Sequence, residues 1–237
     1  MNKERLRTLV CALNIGVYDH QLEDFETYYN EMLTWNKKCN LTAITKENEV
    51  LVKHFYDSLL VMSLEEWKPQ SKVLDLGTGA GLPGIPLKIL NENINLTLID
   101  SLNKRVLFLK TMIDTLGLNN TTAIHGRAEE LANDSSYREK YDIVVSRAVA
   151  RLPILLEYCL PFVKVDAYFM AYKGPDADEE IRESHNALAV LGGEITRVIK
   201  HELPENGGRR SIILVKKTKQ TPGSYPRKPG TPEKKSL

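Results

Sequence analysis

Four glycines, Gly77, Gly79, Gly81 and Gly84, stand in the run VLDLGTGAGLPGIP (73–86), between a β-type stretch and an apolar helical one. At that spacing glycine lets the backbone turn sharply and lets a ligand approach the main chain without Cβ in the way. The helix that follows offers unpaired N–H groups to an acidic ligand atom. Asp75 completes a D-x-G-x-G-x-G arrangement, where its carboxylate can help place the amino-acid portion of S-adenosylmethionine (SAM). Gly79 to Gly84 also fits G-x-G-x-x-G, with Asp100 about 20 residues further on, as a dinucleotide site requires. Asp100 can accept hydrogen bonds from the ribose hydroxyls of either ligand.

The elements around these residues separate the two. From Pro69 onward, KVLDLG (72–77), NLTLID (95–100), TTAIHG (121–126), YDIVVS (141–146) and DAYFMAYK (166–173) alternate with amphipathic helices. That rhythm predicts an α/β fold with a doubly wound, mostly parallel sheet. GGEITRVIKHEL (192–203) and RRSIILVKK (209–217) are joined by PENGG, too short for a parallel crossover, so they pair antiparallel. A Rossmann-like sheet with an antiparallel last strand is the class I SAM-dependent methyltransferase architecture, whereas a dinucleotide domain continues in parallel. The lack of a separate substrate domain agrees with SAM.

Residues 1–66 read as an N-terminal helical extension. Leu22, Phe25, Tyr29 and Met32 recur at helical spacing, as do Val52, Phe55, Leu59 and Met62. The polar stretch WNKKCNLTAITKEN (35–48) reads as a connection with helix-capping character at Thr45. The SAM-binding domain spans 67–217, and 218–237 is a basic Pro/Lys-rich tail without a packed core of its own.

In open α/β sheets ligands bind beyond the carboxyl ends of the strands. The third strand leads into GRAEE, which places Arg127, Ala128 and Glu129 near an adenine. The fourth leads into SRAVARL, which places Ser146, Arg147 and Arg151 near the reacting methyl group. A solvated helix start for Glu129 and surface ion pairs for the arginines are the plainer alternatives. Cys11, Cys39 and Cys159 read as free thiols, and no Cys/His spacing suggests a metal. No apolar run approaches the ~20 residues that span a bilayer. A soluble, cytoplasmic, monomeric protein with neither membrane nor metal partner is expected.

The formal net charge of +1 hides an uneven distribution. Lys216, Lys217, Lys219, Arg227, Lys228, Lys234 and Lys235 stand against the lone Glu233, and Tyr225 could stack on an exposed base. The set expected to face RNA is therefore Arg151, Lys216, Lys217, Tyr225, Arg227 and Lys228, unless the tail is merely solubilising. Lys37, Lys38, Lys46, Lys104 and Arg105 could extend a basic rim. His54 reads as a satisfied structural histidine.

Absences narrow the methyl acceptor. No N/D-P-P-Y/F/W motif follows the fourth strand, which disfavours exocyclic amines of adenine. No Pro-Cys nucleophile is present for attack on a pyrimidine C5. An acceptor that needs no deprotonation, such as guanine N7, fits best, and no catalytic base is expected.

WNKKCNLTAI (35–44), HFYDSL (54–59), DLGTGAGLPGIPL (75–87), DSLNKRVLFL (100–109), GRAEEL (126–131), SRAVARL (146–152) and YPRKPGTP (225–232) together resemble the RsmG (GidB) family. These are bacterial small-subunit ribosomal RNA guanine-N7 methyltransferases. The resemblance covers essentially the whole chain. It implies SAM as cofactor, 16S rRNA or the small ribosomal subunit as partner, and Gly77, Leu82, Ala128, Glu129 and Arg147 as SAM contacts. A non-catalytic RNA-binding assembly factor that keeps the fold is the alternative; the intact glycine motif argues against it.

Overall fold

The computed structural model describes residues 1–237. Seven strands, β1 (Lys72–Leu76), β2 (Asn95–Asp100), β3 (Thr121–His125), β4 (Tyr141–Arg147), β5 (Val163–Lys173), β6 (Gly193–Leu203) and β7 (Gly208–Lys217), form one sheet in the order β3-β2-β1-β4-β5-β7-β6. Pairs from β3 to β5 are parallel, while β7 lies antiparallel to both β5 and β6. The strand order reverses between β1 and β4, so ligands are expected just outside the carboxyl ends of those two strands.

Alternation along the strands builds a core on each face. On β7, Ile212 and Leu214 join one buried cluster and Ile213 and Val215 the other. A period of two places successive side chains on opposite faces, so a strand apolar throughout is covered twice. The first face is covered by α1 (Lys3–Cys11), α2 (Asp19–Cys39), α3 (Glu47–Val50), a π-helical stretch (Leu51–Tyr56), α4 (Asp57–Leu59), α5 (Gly84–Leu90) and α6 (Asn103–Thr115). The second carries α7 (Ala128–Leu131), α8 (Leu152–Cys159), α9 (Ala177–Glu183) and α10 (His185–Leu191). Residues 1–66 thus share one core with the sheet. No helix is long and apolar enough to cross a membrane.

Two local expectations are corrected. Trp35 to Cys39 belong to α2, because Trp35 and Cys39 continue the apolar stripe from Met32, and Trp35 meets the Phe108 ring at 5.8 Å. The helix stops at Asn40, whose left-handed φ of 48° ends the hydrogen-bond ladder. Thr45 caps nothing: α3 begins at Glu47 with Lys46 at its cap position.

Residues 218–237 are docked onto the body. Arg138 donates to the carbonyls of Thr221, Pro222 and Tyr225 at 2.8–3.1 Å. Pro226 and Pro232 are buried, and a short turn of helix, α11 (Thr231–Lys234), lies against α8.

Candidate active site

The chain leaves β1 through a turn held from below. Gly77 and Thr78 N–H both donate to Ile99 O at the end of β2, at 2.8 and 3.1 Å. Gly77 and Gly79 have φ of +69° and +59°, a region costly to any residue with a Cβ. They differ in what lies outside: a Cβ on Gly77 would stand 2.3 Å from Val149 Cγ2, whereas one on Gly79 would meet nothing within 4 Å. The open side of the turn is therefore at Gly79. Tyr28 of α2 braces it, donating from its hydroxyl to Ala80 O at 2.5 Å.

Asp75 is fully buried beneath the turn. Its Oδ2 accepts from Thr78 Oγ1 at 2.6 Å and from Gly84 N at 2.8 Å, which fixes the start of α5. Its Oδ1 has no partner. Burial pushes the carboxyl up to about 6, against the two hydrogen bonds and Arg147. The carboxylate thus holds the turn from within, tying Thr78 to the start of α5.

Two cavities meet at Gly77. The larger, about 420 Å³, runs over Gly79 and Leu82 to Arg147, Asp57, Arg210 and His54. Asp57 is fully buried, with Oδ2 accepting from Arg147 Nη1 at 2.8 Å and Oδ1 from Arg210 Nε at 2.9 Å. Arg147 also reaches Lys53 O at 3.2 Å, a carbonyl of the π-helical stretch. His54 meets Thr42 Oγ1 at 2.8 Å and Lys53 O at 3.2 Å through its two ring nitrogens. Burial first, and then the Arg147 charge, pull its pKa down to about 4, so it is neutral at physiological pH. The smaller cavity, about 120 Å³, is walled by Asp100, Ala128, Glu129, Val149, Tyr158 and Glu233. Asp100 turns Oδ2 to Gly79 N at 2.9 Å and Oδ1 to Leu102 N at 2.9 Å, coupling the two cavities through the loop.

Of the residues expected at a cofactor, Gly77, Gly79, Leu82 and Arg147 lie along the larger cavity. Asp100, Ala128 and Glu129 lie along the smaller, while Asp75 is fully buried and lines neither. The residues expected to face RNA scatter. Lys217 is fully buried, with Nζ donating to Leu160 O at 2.6 Å beside Glu139, because its position on β7 points it at the turn that joins α8 to β5. Arg227 is turned inward, gripping both oxygens of the buried Glu157. Arg151 pairs with Glu183 at 2.6 Å outside both cavities, and Lys216 pairs with Asp166 at 3.1 Å. Tyr225 packs against the second core. Only Lys228 is both exposed and free of an acidic partner. Sequence reasoning missed Asp57 and Arg210. The available signal was a lone acid in HFYDSL and an arginine pair at the head of a buried strand.

A family model described as rRNA small subunit methyltransferase G matches residues 21–212. Curated relatives carry the name ribosomal RNA small subunit methyltransferase G. The one from Desulforamulus reducens is 53% identical over 98% of this chain and 97% of its own. The one from Alkaliphilus metalliredigens is 50% identical over 95% of this chain and 94% of its own. Among solved structures, a SAM-dependent methyltransferase from Aquifex aeolicus aligns with a TM-score of 0.52 at 19% identity, covering 72% of this chain and 93% of that one. TrmN from Thermus thermophilus aligns at 0.51 and 14% identity, over 70% and 53%. These two similarities speak to the fold.

Proposed function

The chain belongs to the rRNA small subunit methyltransferase G family, and on that premise we propose that it transfers a methyl group from SAM to N7 of one guanine in 16S rRNA. The observation that carries the reading is that the Gly77 turn floors two cavities at once. One elongated ligand can therefore run from the carboxylates of Asp100 and Glu129 to the Arg147–Asp57 pair. The open side of Gly79 fits such a ligand, because it leaves room against the main chain.

In this assignment Asp100 and Glu129 hold the adenosine, and Ala128 packs beside it. Gly77, Gly79 and Leu82 form the floor under the methionine portion, and Arg147 faces its carboxylate or an RNA phosphate. When bound, SAM supplies a methyl group on a positively charged sulfur. Guanine N7 bears no proton, so the protein's task is to align the acceptor rather than to remove anything. The titratable groups along the larger cavity support this. Asp57 is claimed by two arginines, Glu180 by Lys173 Nζ at 2.6 Å, and His54 is neutral with both nitrogens engaged. The buried Asp57 carboxylate offsets part of the Arg147 charge at that end of the cavity, where the acceptor becomes cationic.

Lys37, Lys38, Lys46 and Lys104, all exposed, are the cations this reading gives to phosphate, together with Lys228. The enzyme would act as a cytoplasmic monomer on 16S rRNA or the small subunit. Calorimetry with SAM, S-adenosylhomocysteine and NADH tests the cofactor. Mapping N7-methylguanosine in 16S rRNA from a strain lacking the gene, with and without this chain restored, tests the product. Binding of NADH but not SAM, or unchanged methylation, would overturn the proposal.

A further inference from the structure

We propose that the C-terminal segment 225–237 forms the outer wall of the adenine subsite, with Glu233 and Glu129 receiving the two hydrogens of the exocyclic amine. This rests on the SAM reading above. The segment is built into the protein. Arg227 donates from its backbone N, Nε and Nη2 to Glu157, a fully buried carboxylate on α8, at 2.6–3.2 Å. The same guanidinium reaches forward to Lys235 O at 2.9 Å, closing residues 227–235 into a loop that contains Glu233.

That loop touches the smaller cavity twice. Gly230 N–H donates to Glu129 Oε1 at 3.3 Å, so the tail orients the carboxylate and engages only one of its oxygens. Tyr158 lies between Glu129 and Glu233; burial and these two carboxylates push its hydroxyl well above the ordinary tyrosine range, so it stays a donor. It donates to Glu233 Oε1 at 3.4 Å. The cavity rim therefore presents carboxylate acceptors from two directions. A purine edge with a 6-amino group offers two donors there, whereas a 6-oxo group offers an acceptor and meets repulsion. The C-terminal segment is thus a cofactor-binding element that helps select adenosine, and its inward-turned Arg227 is the anchor.

The test uses the full chain and calorimetry with S-adenosylhomocysteine and its 6-oxo analogue, S-inosylhomocysteine. The wild type should prefer the adenosine ligand by at least about tenfold, the scale of one hydrogen bond to a charged group. Glu233→Ala, at an exposed position, should keep its melting temperature and lose about tenfold in affinity for S-adenosylhomocysteine, while its affinity for the 6-oxo ligand changes less than about twofold. Saturating S-adenosylhomocysteine should also slow tryptic cleavage after the exposed Lys234 and Lys235 in the wild type. An unchanged preference in Glu233→Ala, or cleavage indifferent to ligand, overturns the assignment. A wild type that binds neither ligand overturns the SAM reading itself.

Discussion

Arg147, at the end of β4, reaches back to Asp57 at the start of α4, and the 2.8 Å pair joins the helical N-terminal residues to the sheet. Asp57 is fully buried and also serves Arg210, so it fixes two guanidinium groups beside the glycine turn. Removing one partner of a buried pair leaves the other charge unsatisfied, which costs about 3–5 kcal/mol. Asp57→Ala should lose that much in urea unfolding. The double variant with Arg147→Ala should lose less than the sum of the single changes, since the two act through one ion pair.

Gly77 and Gly79 separate folding from binding. Gly79→Ala should cost about 1–2 kcal/mol for its left-handed backbone while leaving the fold intact, because its Cβ enters open space. SAM affinity should drop at least about tenfold. Gly77→Ala adds a collision with Val149 and should also shift the loop after β4, seen as faster proteolysis there. Equal SAM affinity in wild type and Gly79→Ala would remove the turn from the site.

The sheet was legible because its strands are short apolar runs and its glycine motif marks one strand end. The antiparallel close followed from the length of PENGG alone. The tail was read from composition, which counts cations but not the carboxylates waiting for them. Glu157, the one acid in LPILLEYCLPFV (152–163), gave no sign that it would claim Arg227 from 70 residues away. Lys217 looked like the basic end of a strand, yet its alternation with Lys216 places it under the core. Asp57 and Arg210 are 153 residues apart, and their meeting depends on β7 inserting beside β5.

The tail therefore divides into anchoring and free cations. Arg227→Ala should destabilise by about 3–5 kcal/mol, since it strands the Glu157 carboxylate in the core. Replacing exposed Lys228, Lys234 and Lys235 by Ala should leave stability within ~0.5 kcal/mol. If they meet phosphate, the triple variant should lower the log–log salt slope of RNA binding by about 0.7–0.9 for each phosphate no longer neutralised. An unchanged slope would leave RNA to the lysines near α2 and α6.

His54 sets an acid limit. Its pKa falls from 6.5 to about 4 on folding, so between those values the unfolded chain holds a proton that the native chain does not. Stability from this group is complete above about pH 6.5 and is lost as pH falls toward 4, amounting to about 3 kcal/mol. Asp75 works in the opposite sense over 3.8 to about 6, because its folded pKa is raised. The measurement is therefore a difference: the stability gap between wild type and His54→Gln should shrink as pH is lowered from 7 to 4.5. A constant gap would mean that His54 titrates normally.

Asp75 and the untitrated acceptor together make a prediction that separates binding from chemistry. The Asp75 carboxyl titrates at about 6, and its ionised form is the stronger acceptor for Thr78 and Gly84, which shape the turn that SAM would lie on. Below that pH the free protein must release this proton to set the turn for the ligand. SAM affinity should therefore weaken as pH falls through 6, approaching tenfold per unit, and Asp75→Asn should flatten the dependence. Chemistry should behave differently. Guanine N7 needs no deprotonation, and the carboxylates along the larger cavity are held in ion pairs. With SAM and RNA both saturating, the single-turnover rate should stay level from about pH 6.5 to 8.5. Arg147→Ala should then raise the KM for SAM or RNA, with any fall in kcat arising from misalignment. A saturated rate that climbs tenfold per pH unit through neutrality, and is levelled by replacing one Asp, Glu, His or Lys, would sink both the base-free mechanism and N7 as the acceptor.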